Sequence, residues 1–199
     1  MLNKQFFVDV ETTGVDHRVN GIWQIAARVV IDGECVETFK REMKVFPGQM
    51  VNSKALEVGG ITMEQLRGFE EPTVVYADLM KLMKKYVDKF NKKDKFYFIA
   101  YNAFFDSEFV RAWMGNNGDK YYGSWFWTPY VDVMQLAGFV LAECRAELDN
   151  FKLETVLAYF GIPLENAHDG MCDIEATEKL FNRFVADGLS MRPAVKIAA

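Results

Sequence analysis

The stretch FFVDVETTG, Phe6 to Gly14, reads as a β-strand built for the interior, yet it carries Asp9 and Glu11 near its end. Aromatic and β-branched residues suit a pleated, buried backbone. Side chains alternate along a strand, so residues two apart share a face, roughly 7 Å from one another. Asp9 and Glu11 therefore point the same way as Phe7. Two neighbouring carboxylates repel, and burying either is costly without compensation. The stretch predicts either a strand end open to water or a cation beside it.

The rest of the composition sets the frame. A chain of 199 residues predicts one domain with a sizeable core. Half of it is apolar and 15% aromatic, which predicts a folded rather than a disordered chain. The net charge of −5 argues against broad, non-specific nucleic-acid binding, which shows as a basic surface. It leaves room for an enzyme whose acidic centre is neutralised by metal ions. Cys35, Cys144 and Cys172 are odd in number and form no C-x-x-C pair, so neither a disulfide framework nor a zinc site is expected. That usage predicts a reducing, cytoplasmic setting. The amino terminus shows no charged-then-apolar leader, so no signal peptide is expected. No apolar run approaches the ~20 residues of a membrane span, so no membrane partner is expected.

Around the opening stretch the elements can be placed. TTGVDHRVNG is turn-rich; Ile22 to Asp32 and Cys35 to Val45 then read as two strands joined by the hairpin dipeptide Asp32-Gly33. With the first strand they predict an antiparallel meander. Short helical pieces follow around Ser53 to Val58 and Met63 to Leu66, with Thr62 and Gln65 placed as a capping box. Apolar residues at helical spacing predict a helix from Thr73 to Asn91. Lys95 to Asn102 reads as a further strand, with helices over 106–114, 131–143, 152–160 and 173–186. This order predicts an α/β fold, a mixed sheet with helices on both faces. Residues 1–187 are expected to form the single domain and 188–199 a loosely held tail.

Two further stretches carry acids at element ends. Asp106 lies in YNAFFDSEF, at a helix start; taken alone it reads as a first-turn acid favoured by the helix dipole. In AHDGMCDIEAT, His168 lies in a loop and Asp173 opens the last helix, where a cap and a solvated imidazole are the simple readings. Jointly those readings weaken, because strand termini and helix starts are where sites gather in α/β folds.

These three segments resemble the signatures of the DEDDh (DnaQ-like) 3′→5′ exonuclease family, which includes polymerase proofreading subunits and ribonuclease T. The family pattern is Asp-x-Glu on the first strand, an Asp after Asn-x-x-Phe, and His-x-x-x-x-Asp near the end. Here it is carried by Asp9 and Glu11, by Asn102, Phe105 and Asp106, and by His168 and Asp173. ALEVGGIT resembles the family's substrate-side loop and VDVMQLA its segment after the central helix. A lone Asp-x-Glu is weak; the ordered set is specific. Two positions depart from the pattern: Gln24 where many relatives carry glutamate, and Asp169 where a small residue is common.

The resemblance implies a ribonuclease H-like sheet, with Asp9, Glu11, Asp106 and Asp173 holding two Mg²⁺ ions, Mn²⁺ substituting. Oxygen-only ligands suit these ions rather than zinc. It implies His168 as general base, and Thr12, Thr13, Gly60, Ile61, Thr62, Asn102 and Phe105 near the terminal nucleotide. The implied activity releases nucleoside 5′-monophosphates from single-stranded DNA or RNA 3′ ends, alone, as a homodimer or for a DNA polymerase. The other reading is a non-catalytic binding or regulatory module on the same fold. Phe105 also reads as plain core. The basic run from Lys81 to Lys95 reads as a phosphate track or a solvated helix face. The Tyr121–Tyr130 aromatic cluster reads as a cleft cap, a partner surface or a filled corner.

Overall fold

A computed structural model describes residues 3–164 and 169–188. Five strands form one sheet in the order β3-β2-β1-β4-β5: β1 Lys4–Thr12, β2 Ile22–Ile31, β3 Glu34–Glu42, β4 Tyr97–Ala100 and β5 Val131–Asp132. β1 to β3 are the expected antiparallel meander, and β4 and β5 join in parallel. Asp32 and Gly33 both take positive φ, 52° and 93°, the primed turn whose twist matches the hairpin.

The apolar run of β1 is explained by burial on both faces. Phe6, Val8 and Val10 pack with α3 (Pro72–Tyr86) and α4 (Ala103–Asn116), while Phe7 packs on the other side with α6 (Val133–Val140), α7 (Leu153–Tyr159) and α8 (Gly170–Ala186). A third small cluster joins Trp23 to α1 (Ser53–Val58) and α2 (Met63–Gly68). Thr62 and Gln65 form the expected capping box on α2.

Three sequence expectations need correction. The helix expected to reach Asn91 ends at Tyr86, because Val87 adopts an extended backbone and Asp88 turns the chain, its carboxylate accepting from Phe90 N–H at 3.0 Å. Phe90, which stands at helical spacing from Tyr86 in the sequence, is consequently 86% exposed. The segment from Val131 does not start as helix: Val131 and Asp132 pair with Ile99 and Ala100 as a fifth strand, too short to show a period. The helix around Asp106 starts earlier, at Ala103, after Asn102 turns the chain in the left-handed region (φ 65°). Of the expected tail, residues 188–199, all but Gly188 lie outside the described residues.

Candidate active site

The pairing of β1 with β4 runs only from Gln5–Tyr97 to Phe7–Ile99. Beyond it β4 ends, the chain turns at Asn102, and α4 swings its first turn to the edge that β1 leaves open. Asp106 uses that opening: its Oδ1 accepts the Val10 N–H at 3.1 Å, closing a backbone donor that would otherwise lie buried and unmet. Asp106 is buried, and burial with the nearby Asp132 and Glu11 pushes its carboxyl up to about 8, against the pull of its backbone hydrogen bonds.

Asp9 and Glu11 point to the α8 side, opposite Ala26 and Gln24 of β2 in the register. The small Ala26 leaves room there, and the start of α8 comes close: a Cβ on Gly170 would sit 3.1 Å from Asp9 Oδ2, 3.2 Å from Gln24 Oε1 and 3.3 Å from Ala26 Cβ. Asp173 lies in the first turn of that helix. The Asp9 carboxyl is raised well above the ordinary carboxylate range, first by burial, then by Asp106, Glu11 and Asp173. The acids that three remote stretches supplied therefore act on one another across β1, α4 and α8.

Asp169, one of the two departures, has a structural use. Its Oδ1 caps α8 by accepting Met171 N–H at 3.0 Å, and its Oδ2 takes the Lys40 ammonium at 2.8 Å, which holds its pKa down. Gln24 stands across from Glu11 without adding charge, its Nε2 donating to Glu42 Oε1 at 3.4 Å. His168 lies outside the described residues.

Asp132 was missed in the sequence. Its Oδ1 caps α6 through Met134 N–H and also accepts Asn102 N–H at 3.2 Å, so it holds the left-handed turn that launches α4. The signal was present as an Asp between an apolar pair and a helical run.

The expected substrate-side residues divide. Thr13 is buried and engaged within the protein: its N–H donates to Gly21 O, its carbonyl accepts Asn52 N–H, and its hydroxyl donates to Met50 O. These bonds shape the loop between β1 and β2. Thr12 is half-buried with its hydroxyl on Gly14 O; Gly60 is exposed, and Ile61 packs on the Trp23 cluster. Thr62 spends its hydroxyl on the cap of α2. Phe105 packs on the core with its ring 4.8 Å from Phe109, whereas its neighbour Phe104 is 58% exposed.

Among the described residues no three acidic, histidine or cysteine side chains converge into a ready cage for an ion. The fit to a divalent cation rests on charge and donor type: all-oxygen ligands, and carboxyls held from ionising by burial and by one another. A positive ion removes both obstacles.

A family model described as an exonuclease, RNase_T, matches residues 6–181. The PolC-type DNA polymerase III of Thermotoga petrophila is 28% identical over 184 residues, 92% of this chain and 12% of the polymerase. The chain thus spans about an eighth of the length of that relative. Among solved structures, a zinc-bound complex of Escherichia coli exonuclease I with single-stranded DNA superimposes with a TM-score of 0.76 at 21% identity, covering 96% of this chain and 42% of the other. A 3′-exonuclease that recognises the histone mRNA stem-loop gives 0.73 at 17% identity, covering 96% and 66%.

Proposed function

The chain belongs to the RNase_T exonuclease family, and from that premise we propose that it is a metal-dependent 3′→5′ exonuclease acting on single-stranded nucleic-acid ends. The observation that carries this reading is the packing of α4 and α8 against the end of β1, with Asp106 Oδ1 on the Val10 N–H at 3.1 Å and Gly170 against Asp9 Oδ2, so that Asp9 feels Asp106, Glu11 and Asp173 together.

Asp9, Glu11, Asp106 and Asp173 would hold two divalent ions, Mg²⁺ or Mn²⁺. Bound there, such ions supply an activated water and neutralise charge on the leaving 3′-oxygen. The chain's own residues do the rest. Asp106, anchored on the Val10 N–H, fixes its carboxylate relative to the strand that carries Asp9 and Glu11. His168, next to the anchored Asp169, would take the proton of the attacking water; an imidazole titrating near 6.5 suits that work. The exposed Gly60 and Asn102 lie in turns and the half-buried Thr12 ends β1, positions from which a terminal nucleotide would be gripped. The DNA polymerase of the relative and the DNA and RNA of the structural neighbours make a replicative setting and either nucleic acid reasonable substrates for trial.

The test uses 5′-labelled single-stranded DNA and RNA of matched sequence with Mg²⁺, Mn²⁺ or chelator. A ladder shortening from the 3′ end, dependent on metal and absent in Asp9→Ala, is the expected outcome. No ladder on either strand, with folded protein and metal present, would sink the catalytic reading in favour of a binding module.

A further inference from the structure

We propose that the loop after α3 and the short helix α5 (Tyr122–Trp125) form a second site for single-stranded nucleic acid, at the end of the sheet remote from the acids. The structure joins two features that lie about thirty residues apart in sequence. Lys89, Phe90, Tyr121 and Ser124 line one hollow of about 370 Å³. A second, of about 430 Å³, shares Lys89 and Phe90 and continues to Lys84 and Asp94. Phe90 and Tyr121 are 86% and 66% exposed, while Tyr122, Trp125 and Phe126 are buried in the core. The aromatic cluster therefore fills a corner and leaves Tyr121 at its rim.

The exposure of Phe90 is built in. Asp88 accepts Phe90 N–H, Asp94 accepts Asp88 N–H at 3.0 Å, and Asn91 accepts Lys93 N–H. Lys4 ties the loop to β1 through Tyr86 O and the Asp94 carboxylate. The Lys89 ammonium stands 5.4 Å from the Phe90 ring centre and 5.8 Å from that of Trp125, so cation and rings share one surface.

Charge points to the occupant. Residues 81–95 hold seven lysines against two aspartates in a chain of net −5. Lys85 is spent on Glu37, whereas Lys84, Lys92 and Lys93 form no ion pair among the described residues. An aromatic platform beside unspent lysines is how proteins grip single strands: bases stack on the rings and phosphates meet the ammonium groups. An apolar protein surface would match the rings but would strand the lysines.

β4 starts just after this loop and leads, at ~3.3 Å per residue, to the turn before Asp106, which puts the patch roughly 15–20 Å from the acids. On the exonuclease reading, which this inference deepens, the patch holds the body of a strand whose 3′ end lies in the acidic cleft. It would act on long strands and ignore the shortest.

The test measures anisotropy of a labelled trinucleotide and of a strand of about twenty nucleotides, in chelator, for the wild type, Phe90→Ala/Tyr121→Ala and Lys92→Glu/Lys93→Glu. All four residues lie outside the core, and thermal melting checks that each variant folds. Affinity for the long strand should fall about tenfold or more in both variants, with trinucleotide turnover in Mg²⁺ unchanged. Equal affinity of wild type and variants for the long strand overturns the proposal and leaves the patch to a protein partner. So does a wild type that binds the long strand no better than the trinucleotide. Because binding is read without metal, absent turnover would count against the exonuclease reading and not against this site.

Discussion

Asp106 shows how one side chain can meet conflicting structural and electrostatic demands. Its hydrogen bond to Val10 N–H favours the carboxylate, but burial and the neighbouring acids win and push it up to about 8, from an ordinary 3.8. A folded pKa above the unfolded one means that the folded state keeps a proton the unfolded chain releases. The stabilisation is full below about pH 4 and is lost as pH rises through 8; Asp9 shifts in the same direction. Without metal, the melting temperature should therefore fall between pH 5 and pH 8. Asp106→Asn keeps the acceptor oxygen and removes the charge, so it should flatten that fall, raise the melting point at pH 8 and abolish nuclease activity. Melting curves in chelator decide it; a variant that tracks the wild type across the window removes Asp106 from the electrostatic cluster. At this scale the sequence was informative where alternation alone decides, as for Asp9 and Glu11. It offered Asp132 as a local cap of α6 but was silent on its second bond, because the reach to Asn102 across thirty residues leaves no local pattern.

Elements place these residues, and their ends matter more than their middles. The meander was legible since its strands are long, apolar and joined by Asp32-Gly33. β5 was not, because two residues carry no period, and the end of α3 was hidden because Phe90 continues the helical spacing while the turn at Asp88 points it outward. α8 is set by its first residue. Gly170 lies against Asp9, Gln24 and Ala26, and a methyl there would meet the Ala26 Cβ at 3.3 Å, which cannot swing away. Gly170→Ala should lift the helix start by a few tenths of an ångström and cost about 1–3 kcal/mol by overpacking. The same lift moves Asp173 relative to Asp9. Turnover should thus fall at least tenfold while affinity for a single strand in chelator stays near wild type. An alanine variant with unchanged kcat would show that the seating of α8 does not set the site. Replacing Asp169 by Asn, which keeps the cap and drops the Lys40 pair, separates capping from anchoring.

On the scale of the whole molecule the charges are sorted along the parallel strands. Acids gather where β1 and β4 end, lysines where β4 begins, and the modest net charge conceals both. Composition alone argued against broad, non-specific nucleic-acid binding; on the proposed reading the arrangement does not, because a strand with its tip at a metal-neutralised acidic end and its body at a basic end would meet complementary charge at each. If the acids hold metal as proposed, proton and metal compete for one set of carboxylates. At a hundred times its dissociation constant, an ion bound only by the folded state raises stability by about 2.7 kcal/mol. Millimolar Mg²⁺ or Mn²⁺ should accordingly raise the melting temperature by several degrees at pH 8. At pH 5 the raised carboxyls already hold protons that the ion must displace, so the shift should shrink. Asp9→Asn should lose it at both values. Melting with metal or chelator at the two pH values, wild type beside the variant, checks all of this together. A shift of equal size at pH 5 and pH 8, or one that survives in Asp9→Asn, would place the ion elsewhere on the surface and detach the acids from metal chemistry.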